Sequence, residues 1–232
     1  MNAMECIRKI FNILVFVSLS FFSGQVQSQQ KYYDYTKFLP HSYTSDFSLG
    51  VDVILNGKLK LNSETFKIKL STQDDPGFLS VFEGREWIEV RQSGIAKIGK
   101  KTSNFRMVQL FDPKTKLLNY EINRDEREIK FYQWAELPES LRSGESKKVG
   151  RSEERDFEGN IISNGEVSIR LVANKRGFEF CSFEKSRKVK DLQVESIESC
   201  DQFNKQYKII GVKIKINDGE SIFLLSGTVN LR

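Results

Sequence analysis

Val212-Lys213-Ile214-Lys215-Ile216-Asn217-Asp218-Gly219-Glu220-Ser221-Ile222-Phe223-Leu224-Leu225 is the stretch that decides the fold. Apolar residues fall at every second position up to Asn217, which is the period of a strand with one face buried. Asp218-Gly219 then reads as a type I′ turn, because both central positions of that turn need a positive φ that Asp and Gly tolerate. A two-residue turn pairs Ile216 with Ser221, Ile214 with Phe223 and Val212 with Leu225. On that register Ile210, Val212, Ile214, Phe223, Leu225 and Val229 share a core face.

The same alternation appears upstream, in Lys58-Leu59-Lys60-Leu61 and Lys67-Ile68-Lys69-Leu70. Lysines alternating with aliphatics suit the wet side of a sheet whose other side is buried. Strand-like runs fill residues 46–135 and again 148–232, and no long helical period interrupts them. The polar stretch 136–147, which holds Pro138 and Gly144, reads as the connecting segment between the two sets. We therefore expect an all-β chain of antiparallel sheets, forming a sandwich, a curved sheet or an open barrel, in one domain or two β subdomains. Little helix is expected apart from the N-terminal segment.

Turn chemistry also proposes faces in the first set. A Gly84-Arg85 turn pairs Phe82 with Trp87 and Leu79 with Val90, so Leu79, Val81, Ile88 and Val90 make an aliphatic face. The other face carries Phe82 and Trp87 flanked by Glu89 and Arg91. An aromatic pair beside charged groups can stack on a sugar ring or lie against an acyl chain, and these four residues are a candidate ligand-binding surface. Turns at Asp112–Thr115 and Arg124–Arg127 align Arg106, Glu121 and Lys130 in a sign-alternating row expected on a wet face, with Met107, Tyr120 and Phe131 on the core side.

Composition limits the chemistry. The chain has 232 residues, a formal net charge of +5 and one histidine, His41. A single imidazole excludes zinc sites built on two or more histidines and leaves His41 as the sole partner for any Ser-His or Cys-His mechanism. The run from Gly94 to Thr102 approaches a phosphate-binding loop, but Lys101 stands where a magnesium-binding Ser or Thr must follow the lysine, and a strand rather than a helix comes next. It reads as a basic loop. No catalytic residues, metal ligands or cofactor are assigned. Glu83, Glu86 and Glu89 surround Trp87, but alternation sends Glu89 to the face opposite Glu83 and Glu86, so all three cannot line one cleft.

Residues 1–28 combine basic Arg8 and Lys9, an apolar run from Ile10 to Phe22, and Val26 and Ser28 at the positions a signal peptidase reads. The expectation is a cleaved signal peptide, a mature chain from Gln29 and export to a periplasmic or extracellular location. The apolar run is shorter than the ~20 residues a spanning helix needs, and no later segment is apolar enough to span. An aromatic-rich arm, 29–45, follows with Tyr32, Tyr33, Tyr35 and Phe38. The two cysteines of the mature chain, Cys181 and Cys200, are expected to pair in an oxidising compartment. Lys185, Arg187, Lys188 and Lys190 form the densest basic patch, near a hairpin tip. Export disfavours nucleic acid as its partner.

These readings converge on an exported, non-enzymatic binding module for lipid or glycan. The alternatives are a secreted carboxylate-dependent hydrolase of glycosidase type and an outer-membrane barrel, the latter weakened by lysines at every second position.

Overall fold

The structure is a computed structural model that describes residues 32–33, 47, 50–61, 64–135, 137–138, 140–190, 193–207 and 209–231. The expected signal segment, most of the 29–45 arm and His41 lie outside the described residues.

Period-two alternation is realised in fifteen strands and no helix among the described residues. In chain order they are Tyr32–Tyr33 (β1), Val51–Leu61 (β2), Glu64–Asp74 (β3), Phe78–Phe82 (β4), Arg85–Ile98 (β5), Lys101–Phe111 (β6), Leu118–Asn123 (β7) and Glu128–Trp134 (β8). Then follow Leu141–Arg142 (β9), Ser146–Asp156 (β10), Ile161–Asn174 (β11), Gly177–Lys188 (β12), Val194–Asn204 (β13), Ile209–Asn217 (β14) and Ser221–Leu231 (β15). One antiparallel sheet runs β3-β2-β15-β14-β13-β12-β11-β10-β8-β7-β6-β5 and returns to β3, closing a twelve-strand barrel. The strands on both sides of segment 136–147 belong to this one sheet. In the arm, Tyr32 and Tyr33 pair with Arg142 and Leu141 in a separate two-stranded sheet.

Closure depends on a pairing far apart in the sheet order: Ile68 with Ile98, Leu70 with Ala96, Thr72 with Gly94 and Asp74 with Gln92. It removes the open edges that would invite aggregation. A buried hydrogen bond from Gln92 Nε2 to Asp74 Oδ1, 2.8 Å, ties the seam from inside. Beyond it Asp75, Pro76 and Gly77 end β3, since Pro cannot donate to a ladder, and β4 resumes beside β5 as an extension past the barrel wall.

Two apolar clusters occupy most of the inward positions, with buried polar residues among them. The first joins Val53, Leu55, Leu59, Ile68, Leu70, Ile98, Phe105, Ile214 and Phe223, among others. The second includes Ile88, Met107, Phe111, Tyr132, Val149, Val167, Leu171, Phe180 and Phe203. On β5 Gln92, and on β13 Ser199 and Asp201, stand between residues of the two clusters.

Several registers differ from the expected ones. The last hairpin pairs Ile216 with Phe223 and Ile214 with Leu225, two residues away from a two-residue turn. Asp218 is the reason, because its carboxylate accepts from the N–H groups of Glu220 and Ser221 and from the Ser221 hydroxyl, which builds a four-residue loop. A shift of two keeps the faces, so Val212, Ile214, Phe223 and Leu225 are buried and Val229 packs against them. Ile210 is not core. It is 56% exposed, because a bulge opposite Gln202 and Phe203 leaves it outside the pairing.

The β4–β5 turn is Glu83-Gly84, with φ of 49° and 74°, rather than Gly84-Arg85. Ile88 and Val90 are buried as expected, but Leu79 and Val81 are 66% and 73% exposed where β4 extends past the barrel wall. The expected basic loop at 94–102 is instead mostly strand, the end of β5 and the start of β6 joined at Gly99-Lys100.

The largest reversal concerns the charged row. Glu121 and Lys130 do pair, but they face the barrel interior, while Arg106 lies on the outer side against Asp125. Tyr120 and Phe131, expected in the core, face outward. An irregularity between Leu110 and Phe111, which pair with Tyr120 and Leu118, leaves Asn119 unpaired and flips the faces of β7 relative to a regular hairpin.

Cys181 and Cys200 are directly opposite on β12 and β13 and form a disulfide, with Cα atoms 4.0 Å apart. Closing a loop with a sequence separation of 19 restricts the unfolded chain. Replacing both cysteines with serine is expected to lower stability by about 2–4 kcal/mol in urea denaturation, with the fold retained. An unchanged denaturation midpoint would contradict this.

Candidate ligand-binding cleft on the outer wall

The expected aromatic surface is not open. Trp87 is 3% exposed, packed with Val108, Leu110 and Ile122, and its indole N–H donates to the Phe82 carbonyl at 3.1 Å. Tyr120 meets it edge-on at 5.2 Å, Phe82 packs edge-on against Tyr120 at 5.3 Å, and the Arg85 guanidinium covers the Trp87 ring. The cause is the hairpin tip, which folds onto the outer face of the barrel so that Tyr120 Oη donates to Glu83 at 3.3 Å. Glu89 and Arg91 pair with each other at 2.8 Å, and the Arg91 guanidinium sits over the Phe78 ring. The structure therefore brings Phe82, Trp87, Glu89 and Arg91 onto one side, with the indole enclosed. Glu83 lies toward Trp87 and Glu86 pairs with Val81 on the other side, so the three glutamates again line no common cleft.

An open concavity lies elsewhere, on the outer wall across β8, β10, β11, β12 and β13. Its volume is about 720 Å³. Two adjacent cross-strand rows build it: Gln133, Arg151, Glu166 and Lys185, and beside them Phe131, Glu153, Asn164, Arg187 and Val194. Outward positions alternate along each strand, so neighbouring rows are offset by two residues and their side chains rise around the same floor.

The floor includes Gly165, between Ser152 and Ser186. Glycine is required there by what lies on its inner side. Ser152 Oγ donates to Glu184 Oε1 at 2.6 Å, passing over β11, and a Cβ at residue 165 would collide with that hydroxyl. Lys130 Nζ reaches the same Glu184 oxygen at 2.7 Å, and Tyr132 Oη donates to Glu121 at 3.0 Å. One thickness of sheet thus separates the open cleft from a buried charge cluster.

Arg151, Lys185 and Arg187 line the cleft and have no ion-pair partner among the described residues. The two carboxylates are already engaged, Glu166 by Lys148 and Glu153 by Arg155. The Glu166 carboxyl is held below its ordinary range, first by the hydrogen bond and charge of Lys148 and then by Arg151 and Lys185. Of the expected basic patch, Lys185 and Arg187 enter the cleft. Lys188 falls on the alternate side of β12 opposite Ser163, and Lys190 is on the turn.

Of the cleft's three unpaired cations, Lys185 and Arg187 were visible in the sequence because they lie close together in one strand. Arg151, Phe131 and Gln133 come from two other strands, and only non-local pairing places them. The buried cluster had one visible sign: Glu121 and Lys130 fall opposite each other across the β7–β8 turn.

Among the described residues the one grouping of metal-ligating types is Glu179, Cys181 and Cys200, whose two sulfurs are bonded to each other. No helix of the described chain is long and apolar enough to cross a membrane. Fold and site together define a closed antiparallel barrel whose interior holds two apolar clusters and a buried charge cluster, with a cationic cleft on its outer wall. Comparison with family models, curated proteins and solved structures finds no match for the chain.

Proposed function

We propose that this is an exported, non-enzymatic binding module whose outer cleft takes an acidic glycan. The observation that carries the reading is the trio Arg151, Lys185 and Arg187 around a floor at Asn164 and Gly165, none of them salt-bridged among the described residues because the cleft carboxylates Glu166 and Glu153 are held by Lys148 and Arg155. Guanidinium forks match carboxylate or sulfate groups in bidentate fashion. The Asn164 and Gln133 amides offer both donors and acceptors to hydroxyls, and Phe131 offers an apolar ring. The volume falls in the ~300–1,000 Å³ typical of small-ligand sites. Glycan is favoured over acyl chain because Phe131 and Val194 stand at opposite ends of their row and form no continuous apolar channel. Export is supported by the N-terminal segment, and the disulfide is compatible with it.

Against a carboxylate hydrolase stand the ion pairs that engage both cleft carboxylates, Glu166 with Lys148 and Glu153 with Arg155, and the position of Glu121 and Glu184 behind the sheet. Against a membrane barrel stand the outward rows of Lys58, Lys60, Lys67, Lys69, Lys213 and Lys215, where lipid would require an apolar band.

Titration calorimetry with an oligomer of uronic acids, and with a neutral oligosaccharide of the same length, tests the reading. Binding is expected for the acidic oligomer alone. The triple variant Arg151→Ala, Lys185→Ala, Arg187→Ala should weaken it by at least about tenfold, since one hydrogen bond to a charged group contributes ~1.5–3 kcal/mol. Equal binding of the neutral sugar, or unchanged affinity in the variant, would refute the proposal.

A further inference from the structure

Beyond β13, the outer wall formed by β14, β15, β2, β3 and the second half of β5 has a different charge pattern. One row reads Lys215, Leu224, Lys58, Lys67 and the next Lys213, Ser226, Asn56, Lys69, Lys97. Lys58 is directly opposite Lys67, and Lys69 directly opposite Lys97. Like charges in that position oppose folding. Lys58, Lys60, Lys67, Lys69, Lys97 and Lys215 have no ion pair among the described residues, and only Lys213 has one, to Glu179 at 2.7 Å. The cleft interleaves its signs, as in Arg151–Glu166–Lys185, and Glu198 stands opposite Lys215 at the β13–β14 boundary, whereas the outward rows of β2, β3 and the second half of β5 place lysine against lysine, a local segregation of charge.

We propose that the lysine wall docks on an anionic lipid surface. All seven cations are lysines. An ammonium on a flexible stem is a hydrated point charge without the fork that recognises one ligand geometry, so it suits a diffuse negative field. Exposed Ile54, Ile95 and Leu224 lie among these lysines, on the same outward positions, and can enter the interfacial zone. Toward β13 the wall ends at a shallow hollow where Glu179 and Glu198 stand beside Lys213 and Lys215, so the uncompensated cations are Lys58, Lys60, Lys67, Lys69 and Lys97 on β2, β3 and β5. In the closed strand order β2 is separated from β11 by four strands one way and six the other, so docking through this wall turns the cleft away from the lipid. The inference stands independently of what the cleft binds.

Co-sedimentation of the full protein with vesicles tests it. Vesicles of phosphatidylcholine mixed with phosphatidylglycerol should bind the protein, vesicles of phosphatidylcholine alone should not, and added salt should release it. The variant Lys58→Gln, Lys67→Gln, Lys69→Gln, Lys97→Gln should lose affinity on the order of a thousandfold. Its melting temperature should be equal or higher, because two like-charge pairs are gone, so a loss of binding cannot be ascribed to misfolding. The triple cleft variant should bind vesicles as the unaltered protein does, which separates this inference from the glycan reading. Absent binding to the anionic vesicles, undiminished binding in the quadruple variant, or retention by heparin with the vesicles ignored would overturn it.

Discussion

Lys130→Met, with Glu184 left in place, is expected to lower stability by about 3–5 kcal/mol, because an unpaired carboxylate is then left in the interior. Glu184 is 1% exposed, and its Oε1 accepts from both Lys130 and Ser152 while Oε2 has no hydrogen-bond partner. Burial alone would push the Lys130 ammonium down, but the carboxylates of Glu184, Glu121 and Glu154 outweigh it and hold its pKa above the ordinary value. Restoring neutrality with Glu184→Gln in the same chain should recover part of the loss. A Lys130→Met protein as stable as the parent would show that the pair is not buried as described.

The same cluster makes stability depend on pH in a stated direction. Burial raises the Glu121 carboxyl to about 8 from an ordinary 4.5, with Glu184 and Glu154 adding to the rise and Lys130 and the Tyr132 hydrogen bond opposing it. Between these two values the folded chain holds a proton that the unfolded chain has released, so stability falls as pH climbs from about 4.5 to 8. Asp201, raised well above its ordinary value by burial, acts with the same sign. Glu121→Gln should flatten the slope in denaturation series across that window.

Trp87→Ala is expected to cost about 3–5 kcal/mol of folding stability, since a large cavity replaces an enclosed indole. Trp87 packs with Val108, Leu110 and Ile122 beneath Tyr120, and truncation also leaves the Phe82 carbonyl without its donor. Urea denaturation of the two proteins decides this without knowledge of any ligand. A loss below about 1 kcal/mol, the range of surface changes, would reopen the aromatic face as a binding platform.

Strands and their faces were legible wherever one side is wet. Alternation around Ile214 and Phe223 named the buried side of the last hairpin even though the turn was misread by two residues, because the side-chain period is also two. Cys181 and Cys200 were legible for the same reason, being opposite each other about a single turn. Closure was not, since nothing local in Ile68 or Ile98 states that their strands meet. Faces failed in β7 and β8, where both sides are occupied: Tyr120 and Ile122 pack outside with Trp87 while Glu121 and Lys130 lie inside. Alternation says which residues share a side, and only tertiary packing says which side is interior. Of the cleft only Lys185 and Arg187 were visible, for a related reason, as its rows run across strands whereas the sequence runs along them.

The most direct test of the account is native mass spectrometry of the protein recovered from the extracytoplasmic fraction without detergent, with an acidic oligosaccharide added. The expected result is a soluble protein of the chain's mass from Gln29, less two hydrogens for the disulfide, that forms a one-to-one complex with the acidic sugar and none with a neutral one. A protein that requires detergent, retains Met1 in the cytoplasm, or ignores the acidic sugar would contradict it.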